Sequence, residues 1–277
     1  MTAPTPATYT HGYAESVQRS YRVRTAENSA AYLLPHLRAG QDLLDVGSGP
    51  GTITAGLAAR VAPGPGTGSV TALEVAEEAL AQTRAGLEAA GLGASGVEAS
   101  LLVGDVHALD LPDDSFDVVH AHQVLQHVAD PVAALREMIR VCRPGGVVAV
   151  RDADYASFAW FPASPGLEEW ARLYQQAARA NGGEPDAGRR LLSWARAAGA
   201  TDVVATSSTW CYADDAAREL WGGSWAERIT GSAIAVQLEA SGTPRADLEA
   251  VAQAWRDWAA SPDGWFNIVH GEVLIRV

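Results

Sequence analysis

The sequence predicts an α/β protein built on a mostly parallel seven-stranded sheet with helices on both faces. Three observations predict it. Short apolar runs alternate with helical patterns between residues 42 and 151, the pattern of βαβ units. The first run, Asp42 to Val46, passes straight into the glycine-rich turn Gly47-Ser48-Gly49-Pro50-Gly51 and then into a helical pattern. Two later apolar runs, Asp202 to Trp210 and Trp265 to Val277, bring the strands to seven.

In chain order, residues 1–40 begin as a Pro/Thr tail and continue as a helical stretch whose last part, Asn28 to Gly40, is closed by Gly40. Strand and helix then pair: Asp42 to Val46 with Thr52 to Val61, and Val70 to Leu73 with Ala76 to Ala90. Strands follow at Glu98 to Val103, Phe116 to Ala121 and Val147 to Arg151. The best-defined helix runs from Pro131 to Arg143, with Asp130 as N-cap, Pro131 in the first turn, and Val132, Leu135, Ile139 and Cys142 on one stripe. Pro144-Gly145-Gly146 stops it. Beyond residue 151 the texture changes, because all nine tryptophans lie there. Helices are expected at Leu167 to Asn181, Arg189 to Ala198, Asp215 to Glu239 and Ala246 to Ala260. The organisation is therefore an N-terminal helical segment (1–40), a ligand-binding core (41–152), and a C-terminal part of the same sheet carrying a Trp-rich helical cap (153–277).

Composition narrows the chemistry. With 277 residues, 48% of them hydrophobic, the chain can bury a full core without disulfides. No apolar run is long enough to cross a bilayer, and Met1 to Thr10 has neither a basic residue nor an apolar stretch, so a cytoplasmic protein without membrane insertion is expected. The two cysteines, Cys142 and Cys211, have no ligand-like spacing and are expected to be buried. All 20 basic residues are arginine, which excludes a lysine Schiff base, a lysine general base and the lysine of a P-loop. A net charge of -13 disfavours nucleic acid and favours a small-molecule partner; a homodimer is left open.

Three acidic or glycine-bearing strand ends carry the chemical signal. Asp45 and the turn 47–51 lie where an open α/β sheet seats a nucleotide, with the next helix offering free backbone donors. Glu74 ends the second strand, where a carboxylate can accept from both hydroxyls of a ribose or simply face solvent. Gly104-Asp105-Val106 follows the third strand, and Asp105 either accepts from an exocyclic adenine amine or caps a turn.

Together with Ser115-Phe116-Asp117-Val118-Val119, Val124-Leu125-Gln126-His127-Val128 and Val141-Cys142-Arg143-Pro144-Gly145-Gly146, these segments resemble the class I S-adenosylmethionine-dependent methyltransferases. Within that class they are similar to the small-molecule enzymes of the ubiquinone and menaquinone C-methyltransferase group. The resemblance spans residues 40–152. It implies a Rossmann-like sheet ordered 3-2-1-4-5-7-6, with one antiparallel strand, and S-adenosylmethionine lying across the carboxyl ends of the first two strands. The cofactor residues it implies are Asp45, Gly47, Ser48, Gly49 and Gly51 in the turn, Glu74 and Val75 at the ribose, Gly104, Asp105 and Val106 at the adenine, and His122, Gln123 and His127 near the methyl donor. A nicotinamide-dependent oxidoreductase shares such a sheet, but its loop reads GxGxxG, whereas here the spacing is GxGxG.

His120-Ala121-His122-Gln123 ends the fourth strand and departs from the Ser or Asn common at the His122 position in that class. His122 either takes a proton from the acceptor or presents its backbone to the cofactor, while His120 packs within the strand. Asp152 and Asp154, after the fifth strand, are candidates to orient or deprotonate an acceptor, unless one of them pairs with Arg151. No carboxylate stands at metal-ligand spacing from the histidines, so no metal is expected. Tyr13, Arg24 and Asn28 are placed by the same resemblance in a lid over the donor, and some of the tryptophans are expected to line the acceptor pocket. A protein that binds the cofactor without transferring its methyl group is the alternative from another class.

Overall fold

The structure, a computed structural model, describes residues 15–64, 66–92 and 99–277. Its frame is one sheet of eight strands: β1 (Asp42–Val46), β2 (Ser69–Glu74), β3 (Ala99–Val103), β4 (Phe116–His122), β5 (Cys142–Ala153), β6 (Ala159–Phe161), β7 (Asp202–Tyr212) and β8 (Trp265–Arg276). The order is β3-β2-β1-β4-β5-β8-β7, with β1 to β5 parallel and β8 antiparallel to its neighbours. That is the order expected, with β7 and β8 as the sixth and seventh strands. The eighth, β6, was not expected; its three residues prolong the β5 side of β8 by pairing with Trp265 to Asn267.

The helices are α1 (Glu15–Tyr21), α2 (Ala26–Ser29), α3 (Thr52–Val61), α4 (Glu77–Ala89), α5 (Pro131–Val141), α6 (Pro165–Ala180), α7 (Leu191–Ala197), α8 (Asp215–Gly231), α9 (Ala233–Ala240) and α10 (Arg245–Ala260). Three boundaries differ from the sequence reading, each for a local reason. The N-terminal helical stretch is broken, because Thr25 and Asn28 form a reciprocal capping box that restarts the chain as α2. Asp130 caps α5 as expected, but the helix ends at Val141, and Arg143 to Gly146 enter β5 as a bulge between the pairs Phe116–Cys142 and Val118–Val147. The helix expected over Asp215 to Glu239 divides at Ser232, which is extended and whose hydroxyl donates to the Arg228 carbonyl at 2.9 Å.

Side-chain alternation along the strands assigns the layers. One face of the sheet carries Leu44, Val46, Val119, Val148, Val150, Val273 and Ile275 against α5 and α7. The other carries Leu43, Val70, Val118 and Ala149 against α2 and α3. Farther along β8 that second face continues as Phe266 and Ile268, packed on a separate aromatic core in which Trp170, Trp225 and Trp255 are fully buried beside Trp221 and Trp258. Cys142 is buried as expected; Cys211 is exposed, because β7 is an edge strand with much of its length facing solvent.

The glycine turn depends on the backbone of α4. A Cβ at Gly86 would overlap the Pro50 carbonyl, and one at Gly51 would lie 2.8 Å from the Thr83 carbonyl oxygen. Gly51 also has φ +76°, in the left-handed region. Gly86 is thus required inside a helix that would otherwise prefer alanine. Gly86→Ala is predicted to lower stability by about 1–3 kcal/mol through overpacking, read as a reduced Tm in thermal melts; an unchanged Tm would mean that the turn and α4 separate without cost.

Candidate functional site

At the carboxyl ends of β1, β2 and β4 the sheet opens into a cavity of about 510 Å³. Its floor is the turn after β1. Gly47 and Gly49 have φ of +68° and +54°, where a side chain is strained. A Cβ on Gly47 would meet the Val124 side chain at 2.5 Å, whereas one on Gly49 would meet nothing within 4 Å. Gly51 does not line the cavity: it is turned against α4, so the structure makes it a packing glycine. The Ser48 hydroxyl lies 3.0 Å from that of Thr83, tying the turn to α4 a second time.

Asp45 lines the cavity, but its carboxylate is committed inward. It sits 2.7 Å from His120 Nδ1 on the neighbouring strand and accepts from the Thr54 hydroxyl at 2.5 Å. Asp45 and His120 are register partners in β1 and β4, so the sheet itself brings them together. His120 is fully buried, as expected of a strand-packing residue.

Glu74 Oε1 accepts from the Gly49 N–H at 2.6 Å and Oε2 from the Val75 N–H at 3.3 Å, so the end of β2 clasps the glycine turn. Burial raises the Glu74 carboxyl above its usual range, against those two backbone donors. Val75, Gly104, Asp105 and Val106 continue this wall. Asp105 meets the His107 N–H at 2.9 Å and the His107 ring at 2.6 Å; burial raises its carboxyl, and the two His107 bonds more than offset that, holding it below the usual value. His122, Gln123 and His127 form the side under β4. Burial pulls the His127 imidazole down to about 3, with Arg24 adding to the effect. Both ring nitrogens of buried His122 lack partners, and burial, then Arg151 and Arg24, keep it neutral far below the ordinary imidazole range.

Two carboxylates were expected to follow the fifth strand, but Asp152 lies within β5, where strand parity decides its side. His122 and Arg151 are register partners and share the face that carries Ala149; Asp152 points to the opposite face. There Asp152 accepts from the Gln126 N–H at 3.1 Å, and burial pushes its carboxyl up to about 8. Asp154 is held by Arg189 through two hydrogen bonds of 2.7 Å. Neither lines the cavity. Their expected place beside the acceptor is therefore corrected: one supports the turn 125–127 from behind, and the other is ion-paired.

Arg24 lines the cavity with Tyr21, and the Asn28 carbonyl accepts from the Trp210 indole at 2.7 Å; Tyr13 lies outside the described residues. The pairing partner of Arg151 is neither nearby aspartate but Glu272, at 3.2 Å on β8. Sequence reasoning missed Glu272 and its strand neighbour His270, whose ring lies 2.8 Å from the Gln123 amide. The available signal was the pair His270 and Glu272, two residues apart and so on one face of a strand whose same face otherwise carries Phe266, Ile268 and Leu274. None of the nine tryptophans lines the 510 Å³ cavity. Among the described residues no helix is long and apolar enough to cross a membrane.

Comparison with known proteins bears on this geometry. A methyltransferase domain family matches residues 44–150. The uncharacterized methyltransferase C1B3.06c of Schizosaccharomyces pombe is 34% identical over 284 residues, covering 100% of this chain and 99% of that protein. The probable methyltransferase ltbC of Aspergillus luteorubrus is 27% identical over 295 residues, covering 96% of each. Among solved structures, the YcgJ protein from Bacillus subtilis shares the fold with a TM-score of 0.54 at 15% identity, over 89% of this chain and 97% of that one.

Asp152 gives a prediction with a fixed sign. In the unfolded chain it loses its proton near pH ~4, while in the fold it keeps the proton to about 8, so this residue makes stability fall as pH rises across that window. Asp152→Asn keeps an acceptor for the Gln126 N–H and removes the titration. The Tm of the variant minus that of the parent should therefore grow from about pH 5 to about pH 8. A difference that stays flat or shrinks would show that Asp152 is ionised in the fold.

Proposed function

The chain belongs to the S-adenosylmethionine-dependent methyltransferases, and from that premise we propose that the cavity holds S-adenosylmethionine against the turn 47–51 for methyl transfer to a small-molecule acceptor. The observation that carries this reading is the clasp between Glu74 and the Gly49 N–H at 2.6 Å, on the floor of a cavity rimmed by acids. S-adenosylmethionine is the family's cofactor, and when bound it supplies an electrophilic methyl group on a sulfonium sulfur.

The residues fit such a ligand. Space opens over Gly49, where a Cβ would meet no atom within 4 Å, and over Gly104, where it would meet only the Leu73 side chain. Asp45, Glu74 and Asp105 give this floor an acidic character and the chain has no lysine, which suits a cation better than a pyrophosphate. Glu74 would accept from the two ribose hydroxyls, and Asp105 from the adenine amine. Gly47, Ser48, Val75, Gly104 and Val106 would shape the walls around the nucleoside, with Gln123 and His127 beside the donor's reactive end. Asp45 acts through the turn, which it anchors to His120 and Thr54.

His122 stands where the acceptor would meet the methyl group. A ring kept neutral by burial and by Arg151 and Arg24 is a poor proton store at neutral pH, so its proposed task is to orient the acceptor by a hydrogen bond. Holding nucleophile and methyl in line can itself remove roughly 7 to 11 kcal/mol from a barrier in favourable cases.

Calorimetry with S-adenosylhomocysteine tests the donor site. Glu74→Ala should weaken binding by about 1–3 kcal/mol through lost charge-assisted hydrogen bonds. Labelled S-adenosylmethionine offered with a panel of quinols, phenols, amines and acids should then give a labelled product. Indifference of the parent protein to both cofactor forms, or a preference for NADH, sinks the proposal; tight binding with no transfer to any acceptor favours a binding protein.

A further inference from the structure

Behind His122, on the same face of the sheet, lies a cluster of buried polar groups that the donor site does not use. Arg151 is 1% exposed, and its Nε donates to Glu272 and to the Ser208 hydroxyl, yet neither Nη1 nor Nη2 has a partner. The Tyr32 hydroxyl, His270 Nδ1, both nitrogens of His122 and Arg24 Nε are likewise buried without partners. Four of them, from separate elements, surround one ring, and Tyr32 is close enough to Arg151 and Glu272 for their charges to act on its hydroxyl. The Trp210 centroid is 4.8 Å from the Arg151 guanidinium carbon, 5.3 Å from that of Arg24, 4.5 Å from the His270 ring and 5.6 Å from the His122 ring.

Donors outnumber acceptors among the groups left over here, although the phenol and one nitrogen of neutral His122 can also accept. Glu272, the carboxylate paired with Arg151, already accepts from Arg151, from Ser208 and from the Thr206 hydroxyl at 2.8 Å. The one carboxylate oxygen among the unpartnered buried atoms, Asp152 Oδ2, belongs to the opposite face. What is left over on this face is an unused guanidinium edge, a phenol and imidazole nitrogens. A buried donor without a partner costs free energy, and a paired guanidinium edge is a geometric match for the two oxygens of a carboxylate. The cluster also adjoins the donor cavity, because His122 and Arg24 belong to both.

We propose that the methyl acceptor is a small organic acid whose carboxylate is held by Arg151 Nη1 and Nη2 beside the Trp210 ring, with Tyr32 and His270 as supporting donors. This rests on the reading of the adjoining cavity as the donor site. The carboxylate is the handle of recognition, and the acceptor extends from it past His122 toward the cavity. The Trp210–Asn28 hydrogen bond ties the N-terminal segment over the same place, so that segment forms part of the acceptor's enclosure.

The test uses the full chain saturated with S-adenosylhomocysteine, titrated calorimetrically with benzoate, 4-hydroxybenzoate and phenylacetate and with the corresponding primary amides. At least one carboxylate should bind at least tenfold more tightly than its amide. Arg151→Met should remove that preference while leaving S-adenosylhomocysteine affinity within twofold. Because Arg151→Met strands Glu272 as a buried charge and can compromise folding, the double variant Arg151→Met/Glu272→Gln is measured beside it, where both charges are gone. Carboxylates that bind no better than their amides, or a folded double variant that keeps the preference, overturn the proposal. Failure of the parent protein to take up S-adenosylhomocysteine is a different result, and it strikes the donor site itself.

Discussion

The turn after β1 exists only because two backbones can touch. Pro50 and Gly51 lie against Gly86 and Thr83 of α4 so closely that neither glycine can carry a side chain. Everything else in the candidate site is arranged around that contact. Ser48 bonds to Thr83 and Glu74 closes onto the Gly49 N–H, while beneath the turn Asp45 binds Thr54 and His120. The floor of the cavity is therefore fixed by covalent geometry and packing before any ligand arrives, which is what an in-line transfer needs from a donor site.

The second constraint is the two-residue period of the strands. On β4 it sends His120 and His122 to one face, and on β5 it sends Arg151 to that same face and Asp152 to the other. On β8 it aligns His270 and Glu272 behind Phe266 and Ile268. Two apolar cores share this face, one under α2 and α3 and the other under the Trp-rich helices, and the polar cluster occupies the seam between them. A seam between two cores is the place where buried polar groups can be held without breaking either one.

Much of this was legible in the residues. The glycine turn, the apolar run before it and Glu74 after the next strand fixed the fold class and the floor of the cavity, because each is a local requirement that leaves a local trace. What escaped was whatever depends on pairing between distant strands. Asp152 and Asp154 looked equivalent to His122 because all follow expected strand ends, and the face each one takes is set by register, which a single chain segment does not reveal. Arg151 looked like a partner for its neighbouring acids, whereas its carboxylate comes from residue 272. Gly51 belonged visibly to the motif, but only the approach of α4 shows that it serves packing. The bulge at Arg143 to Gly146 and the break at Ser232 were equally hidden, being settled by how β5 and the helical layer dock.

The tryptophans carry the last step. Their concentration beyond residue 151 suggested an aromatic cap lining an acceptor pocket, but Trp170, Trp225 and Trp255 form a closed aromatic core of their own. Such a core gives the C-terminal helices an internal reason to hold their shape. Trp210 differs from these three in both exposure and company. It is half-buried, reached by two guanidinium groups and two imidazoles, and its indole N–H is spent on the backbone of the N-terminal segment. A ring in that position offers a flat apolar wall without competing for hydrogen bonds, and it leaves the polar groups around it as the donors an incoming acceptor would meet. The aromatic core thus stands apart from the cavity, while Trp210 stands at the seam, where the proposed acceptor carboxylate would lie against its ring.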